Sequence, residues 1–213
     1  MTSGNEQLAS RVFLSVTLLT VLYGCGKLDP TINLEKSQSS GSGLTGAWQD
    51  GCSSLNWLGF SREKIDLRLG TIGDFHQSTA VFNDDACATP IATLEQQGTY
   101  TALATSQSTD SASRIDFALT TAKVTAHTDE VVEILNAASY CGVQTWVKGA
   151  PIDVIDKVCL GTGHPKGQIS LDIYRLADQG QELTFGRDSL FLDKVAGGSR
   201  PVQLDGSRTF VRR

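Results

Sequence analysis

Lys64-Ile65-Asp66-Leu67-Arg68-Leu69-Gly70 alternates charged and aliphatic side chains without a break. Successive strand residues point to opposite faces, so Ile65, Leu67 and Leu69 share one face while Lys64, Asp66 and Arg68 share the other. The pattern predicts a strand with one buried and one wet face. Outward from it, comparable segments run over Phe75–Phe82, Ile91–Leu103 with Gly98 as a candidate bulge, Ile115–Ala126, Val143–Val147, Ile169–Leu176, Glu182–Phe185 and Val202–Val211. Asp178-Gln179-Gly180-Gln181 reads as the hairpin turn between two of them. Short strands so regularly spaced point to an all-β class, an antiparallel sandwich or barrel.

One segment breaks this pattern. Thr128 stands as an N-cap before Asp129 and Glu130, and Val131, Leu135 and Ala138 fall on one stripe, so residues 128–138 are expected to form the single α-helix, laid against the β structure.

The chain has 213 residues, 40% of them hydrophobic and 19% charged, with a formal net charge of -5. It can bury a core, and it lacks the several long apolar spans of a polytopic membrane protein. Its 18 Lys+Arg against 23 Asp+Glu argue against nucleic-acid binding as the main task, which needs cations to neutralise phosphates.

The N-terminus carries an address. Arg11 precedes the apolar run Val12–Tyr23, too short to span a bilayer but of the length of a signal-peptide core. Leu22-Tyr23-Gly24-Cys25 then resembles the lipobox of bacterial lipoproteins. That resemblance implies cleavage after residue 24, lipidation of Cys25 with palmitate-class chains, and a bacterial cell-envelope location in which the membrane is a partner through the lipid anchor. Gly26 after the cysteine favours the outer over the inner membrane. Residues 25–43 form the lipidated Cys and a polar flexible tether ending in Ser/Gly, whose 18 residues from Gly26 to Gly43 would reach about 20–25 Å as a coil. The composition changes at Leu44, and residues 44–213 are expected to form the barrel domain.

Four further cysteines, Cys52, Cys87, Cys141 and Cys159, make an even count in an exported chain, which predicts two disulfide bonds. The pairing Cys52–Cys87 with Cys141–Cys159 is favoured because each closes a contained loop. There is no C-x-x-C pair, and His76, His127 and His164 lack ligand spacing, so no metal or other cofactor is expected. Asp84-Asp85 reads as solvated acids in a turn rather than a calcium site. No G-x-S-x-G, H-E-x-x-H or P-loop occurs, and Gly161–Gly167 reads as a loop between strands, so no catalytic residue is assigned and an enzyme is not expected.

Leu44-Thr45-Gly46-Ala47-Trp48 resembles the G-x-W signature that opens the first strand of lipocalins and related calycins. The resemblance implies an antiparallel calycin-like β-barrel in which Gly46 and Trp48 close one end and an arginine near the last strand, Arg208 or Arg212, lies over the indole. It also implies an interior cup for a small apolar molecule or lipid. Trp57 and Phe60 cluster in a connection between strands, either as a lid over such a ligand or as a loop tucked against its own core. The alternative is a barrel filled by its own side chains, acting as an envelope interaction or structural protein.

Overall fold

The structure, a computed structural model, describes residues 43–103, 111–160, 162–163, 165–186 and 199–213. Eight antiparallel strands close into a calycin-like barrel with one α-helix among these residues. They are β1 (Gly46–Gln49), β3 (Phe60–Leu69), β4 (Asp74–Phe82), β5 (Ala92–Leu103), β6 (Ser113–Ala126), β10 (Ile169–Ala177), β11 (Glu182–Phe185) and β12 (Phe210–Arg212). Around the ring the order is β1-β12-β11-β10-β6-β5-β4-β3, and β1 completes the circle by pairing with β3. Four further strands lie off it. Of these, β2 (Ser53–Trp57) pairs with β3, β7 (Pro151–Asp153) with β6, and β8 (Val158–Cys159) with β9 (Thr162–Gly163).

The alternation in the sequence becomes the wall of this barrel. Ile65, Leu67 and Leu69 are buried inside, as are Phe75 and Val81 of β4 and Leu94 of β5. On β6 the inward positions change parity, from Ile115, Phe117 and Leu119 to Ala122, Val124 and Ala126. The cause is a bulge: Gln97 pairs with Thr121 and Gly98 with Leu119, so Thr120 is the extra residue and its hydroxyl donates to Gln97 O at 3.0 Å. Glycine is required opposite the bulge, because a Cβ on Gly98 would stand 2.0 Å from Ala118 O.

Helix α1 (Asp129–Ala137) starts where expected, with Thr128 Oγ1 accepting from Val131 N. Val131 and Leu135 are fully buried, whereas Ala138 is exposed at the C-cap, so the apolar stripe is one residue shorter than the sequence implied. Tyr140 and Trp146, just beyond the helix, join the same core.

Two expected strands are corrected. Val143–Val147 is not a strand: the Asn136 side chain accepts from Trp146 N at 2.7 Å and donates to Trp146 O at 3.2 Å, occupying the groups a ladder would use. Val202–Val211 shrinks to Phe210–Arg212. An Asp205 turn, with Oδ1 accepting from Ser207 N, interrupts it, and Arg208 then turns inward to buried carboxylates. Asp178–Gly180 forms a short 3-10 turn joining β10 to β11, at the expected place. Among the described residues no helix is long and apolar enough to cross a membrane.

Candidate functional site

The barrel has two unlike ends. At one, the chain enters at Gly43–Leu44 beside the β3–β4 turn and the β10–β11 turn. Trp48 is 1% exposed, and its indole N–H donates to Leu44 O at 2.8 Å. Antiparallel register places Arg212 beside Trp48, and the guanidinium lies 4.2 Å from the ring centroid, within cation–π range. The same guanidinium donates to Gly180 O at 2.9 Å, Thr45 O at 2.8 Å and Gly43 O at 2.5 Å. One planar cation thus ties the first strand, the last strand and the β10–β11 turn together, a task suited to arginine's fork of donors. Gly46 has φ +148°, and a Cβ there would sit 2.5 Å from Arg212 Nη1, which accounts physically for the glycine of the G-x-W triplet.

Arg208, the other candidate, does something else. It is buried against Glu63, 0% exposed, and Asp50, whose Oδ2 is 3.4 Å from Arg208 Nε. Asp50 Oδ1 also accepts from Ile65 N at 2.5 Å, and Ser53 Oγ donates to its Oδ2. Burial raises the Asp50 carboxyl above its ordinary value, against the opposing pull of the Ile65 N–H and the Arg208 charge. This cluster was absent from the sequence reading. A signal was there, since Glu63 continues the inward phase of Ile65, Leu67 and Leu69 two residues back and so places a carboxylate inside the wall.

The other end is covered by α1 and the residues that follow it. Trp57, buried, meets Tyr140 edge-on at 5.6 Å and donates to its hydroxyl at 3.1 Å, while Phe60 stands 5.8 Å from Trp57. Between them Leu58 and Gly59 make a positive-φ turn. Trp57 ends β2 and Phe60 opens β3, so the expected connection is a two-residue turn between strands, and both aromatics are buried against the core. Both disulfides, Cys52–Cys87 and Cys141–Cys159, fasten this end, one holding β2 to the β4–β5 loop and the other the segment after α1 to β8.

Inside the barrel, Gln77 donates to Gln96 Oε1 and Thr79 Oγ1, both at 3.1 Å. Next to them lies a cavity of about 30 Å³ lined by Phe75, Gln77, Gln96, Phe117, Leu119 and Ser170, with Gln168 at its edge. That is room for a water, whereas a drug-sized ligand needs ~300 Å³ or more. A groove of about 220 Å³ lies on the outer face instead, over Ala47 between Arg68, His76, Ser78 and Arg213.

The remaining candidates have local tasks. Asp84 Oδ1 accepts from Ala86 N and Ala88 N, and Asp85 pairs with Arg62 at 2.7 Å. His127 Nε2 lies 2.7 Å from Thr93 Oγ1. Among the described residues, no group of three His, Cys, Asp or Glu could hold a metal ion. Cys25 and the His164 side chain lie outside the described residues. The site geometry therefore defines a closed β-barrel. No family model and no curated protein matches the chain.

Proposed function

We propose that this chain is a bacterial cell-envelope lipoprotein, held at the outer membrane through acylated Cys25, whose filled barrel serves as a non-catalytic interaction or structural module. The observation that carries the second half is the interior: inward side chains leave about 30 Å³ beside Gln77 and Gln96. A cup for a drug-sized apolar molecule would present roughly an order of magnitude more space. The first half rests on the Val12–Tyr23 run and the lipobox-like Leu22–Cys25. Two or more acyl chains are what stable anchoring requires.

Two measurements test these halves separately. The wild-type protein should enter the detergent phase with the mass of an acylated Cys25, and Cys25→Ser should leave it aqueous. Native mass spectrometry of the mature protein from its own envelope should show no bound small molecule, and an environment-sensitive apolar dye should not bind stoichiometrically. A lipid or apolar ligand retained at one per barrel would replace the filled-barrel reading with the binding-module one.

A further inference from the structure

The inward face of the wall loses its even spacing at one place. Inward positions on a strand recur at every second residue, but the Thr120 bulge sets Leu119 and Ala122, successive inward residues of β6, three apart. On one side of β6, Ala122 pairs with Gln96 of β5; on the other, Phe117 pairs with the small Ser170 of β10. Two short side chains and a skipped position underfill the lumen here, which accounts for the cavity of about 30 Å³ between Gln77, Gln96 and Ser170.

The polar part of its lining is incompletely bonded. Gln96 is 3% exposed and Ser170 6%, so neither turns to solvent. Gln96 Oε1 accepts from Gln77 Nε2 at 3.1 Å, whereas Gln96 Nε2 and Ser170 Oγ make no hydrogen bond among the described residues. Phe75, Phe117 and Leu119 line the same cavity and offer neither donor nor acceptor. A buried amide N–H left unpaired costs more than immobilising one water. The amide and the hydroxyl therefore call for a partner that is small and can both accept and donate.

Cavities that stay dry are apolar, whereas a polar one is filled by a water bonded to its lining, and a water's share of liquid volume is about 30 Å³. The geometry points to a single buried water as a resident ligand of the barrel, accepting from Gln96 Nε2 and bonded to Ser170 Oγ, with the Gln168 side chain at the rim as a third partner. It joins β5 to β10 across β6, two strands that share no ladder. This rests on the filled-barrel reading above, because a molecule occupying the lumen would displace the water.

The test counts that water. Oxygen-17 relaxation dispersion on the full acylated chain in detergent micelles reports waters that reside longer than the particle takes to tumble, and hydroxyl protons do not enter it. Gln96→Leu and Ser170→Val each remove one of the two main partners, so each should lower the wild-type amplitude by one water per barrel. The double variant should lower it by the same single water, because both side chains hold one molecule. An amplitude unchanged by either substitution, or two waters lost in the double variant, overturns the bridge. A crystal structure of the wild-type chain checks the same contact with the core unaltered: one water oxygen should lie within about 3.2 Å of both Gln96 Nε2 and Ser170 Oγ. A direct Gln96–Ser170 hydrogen bond, or a cavity without that oxygen, overturns the inference. A small molecule retained at one per barrel in native mass spectrometry overturns the filled-barrel reading and this inference with it, whereas a ligand-free barrel that fails the water test overturns this inference alone.

Discussion

The end of the barrel that holds Trp48 and the end that holds α1 solve the same problem by different chemistry. Both must stop water from reaching apolar walls. At the Trp48 end one indole and one guanidinium plug the opening, and Arg212 satisfies three backbone carbonyls that the strands leave unpaired. At the α1 end a helix, a 3-10 turn and the Trp57–Tyr140 pair form a thicker cover whose own ladder, β8–β9, has only two residues in each strand, and two disulfides hold it. Where strands converge, register supplies the order and a cation can finish the closure. Where the cover is built from connections, loop entropy has to be removed covalently.

The largest expected effect breaks the first end. Trp48→Ala removes a fully buried aromatic together with the face on which Arg212 stacks, and should cost about 3–5 kcal/mol of unfolding free energy in urea titration. A loss of under about 1 kcal/mol, the size of a surface change, would mean the indole does not close the barrel. Next in size come the staples. On the chain-entropy model, removing Cys52–Cys87, with separation 35, should cost about 4 kcal/mol, and removing Cys141–Cys159, with separation 18, about 3 kcal/mol. Hydrogen exchange on each cysteine-pair variant sharpens the comparison: amides of α1 and β2 should lose protection first, while those of β1 and β12 stay protected. If both ends opened together, they would be one cooperative unit and the distinction between them would be geometric only.

Much of the wall was legible because a half-buried strand writes its two faces into alternate letters. β3, β4, β6 and β10 read this way; the bulge expected at Gly98 lies opposite it instead, with Thr120 of β6 as the extra residue. What failed had specific causes. Val143–Val147 looked like a strand, and Trp146 with part of Val143 does pack inward, but Val147 is exposed and Asn136 supplies the backbone partners from a helix ten residues before Trp146. Arg208 and Arg212 were equivalent candidates on sequence. Only the pairing of Trp48 with Arg212 across a separation of 164 residues tells them apart, and nothing local encodes that register. The Glu63–Arg208 pair, 145 residues apart, was invisible for the same reason. As for the site, Gly46 and Trp48 were readable from one triplet, whereas the small cavity inside the barrel depends on how Gln77, Gln96 and Ser170 meet across three strands.

The smallest effect concerns the girdle of charge between the two ends. Asp50 takes up protons more readily in the folded barrel than at its ordinary 3.8, chiefly because burial penalises the carboxylate. Between 3.8 and its raised folded value, the native state therefore binds more protons at this position than the unfolded chain. By linkage, the Asp50 contribution to stability is present at acid pH and is lost as pH rises through that window, with a slope of at most about 1.4 kcal/mol per pH unit. The difference between wild type and Asp50→Asn, measured by urea titration across about pH 4 to 8, should show this slope, because the neutral amide has no proton to give up. The Ile65 N–H and, after it, the Arg208 charge limit the rise by pulling the Asp50 carboxyl back down. Arg208→Met should accordingly move the window to higher pH, in addition to the larger loss from leaving the Glu63 and Asp50 carboxylates buried without that cation. A wild-type profile that parallels Asp50→Asn at every pH would mean that Asp50 stays ionised in the fold. The girdle would then act as a fixed ion pair joining β3 to the chain before β12, with no titration of its own.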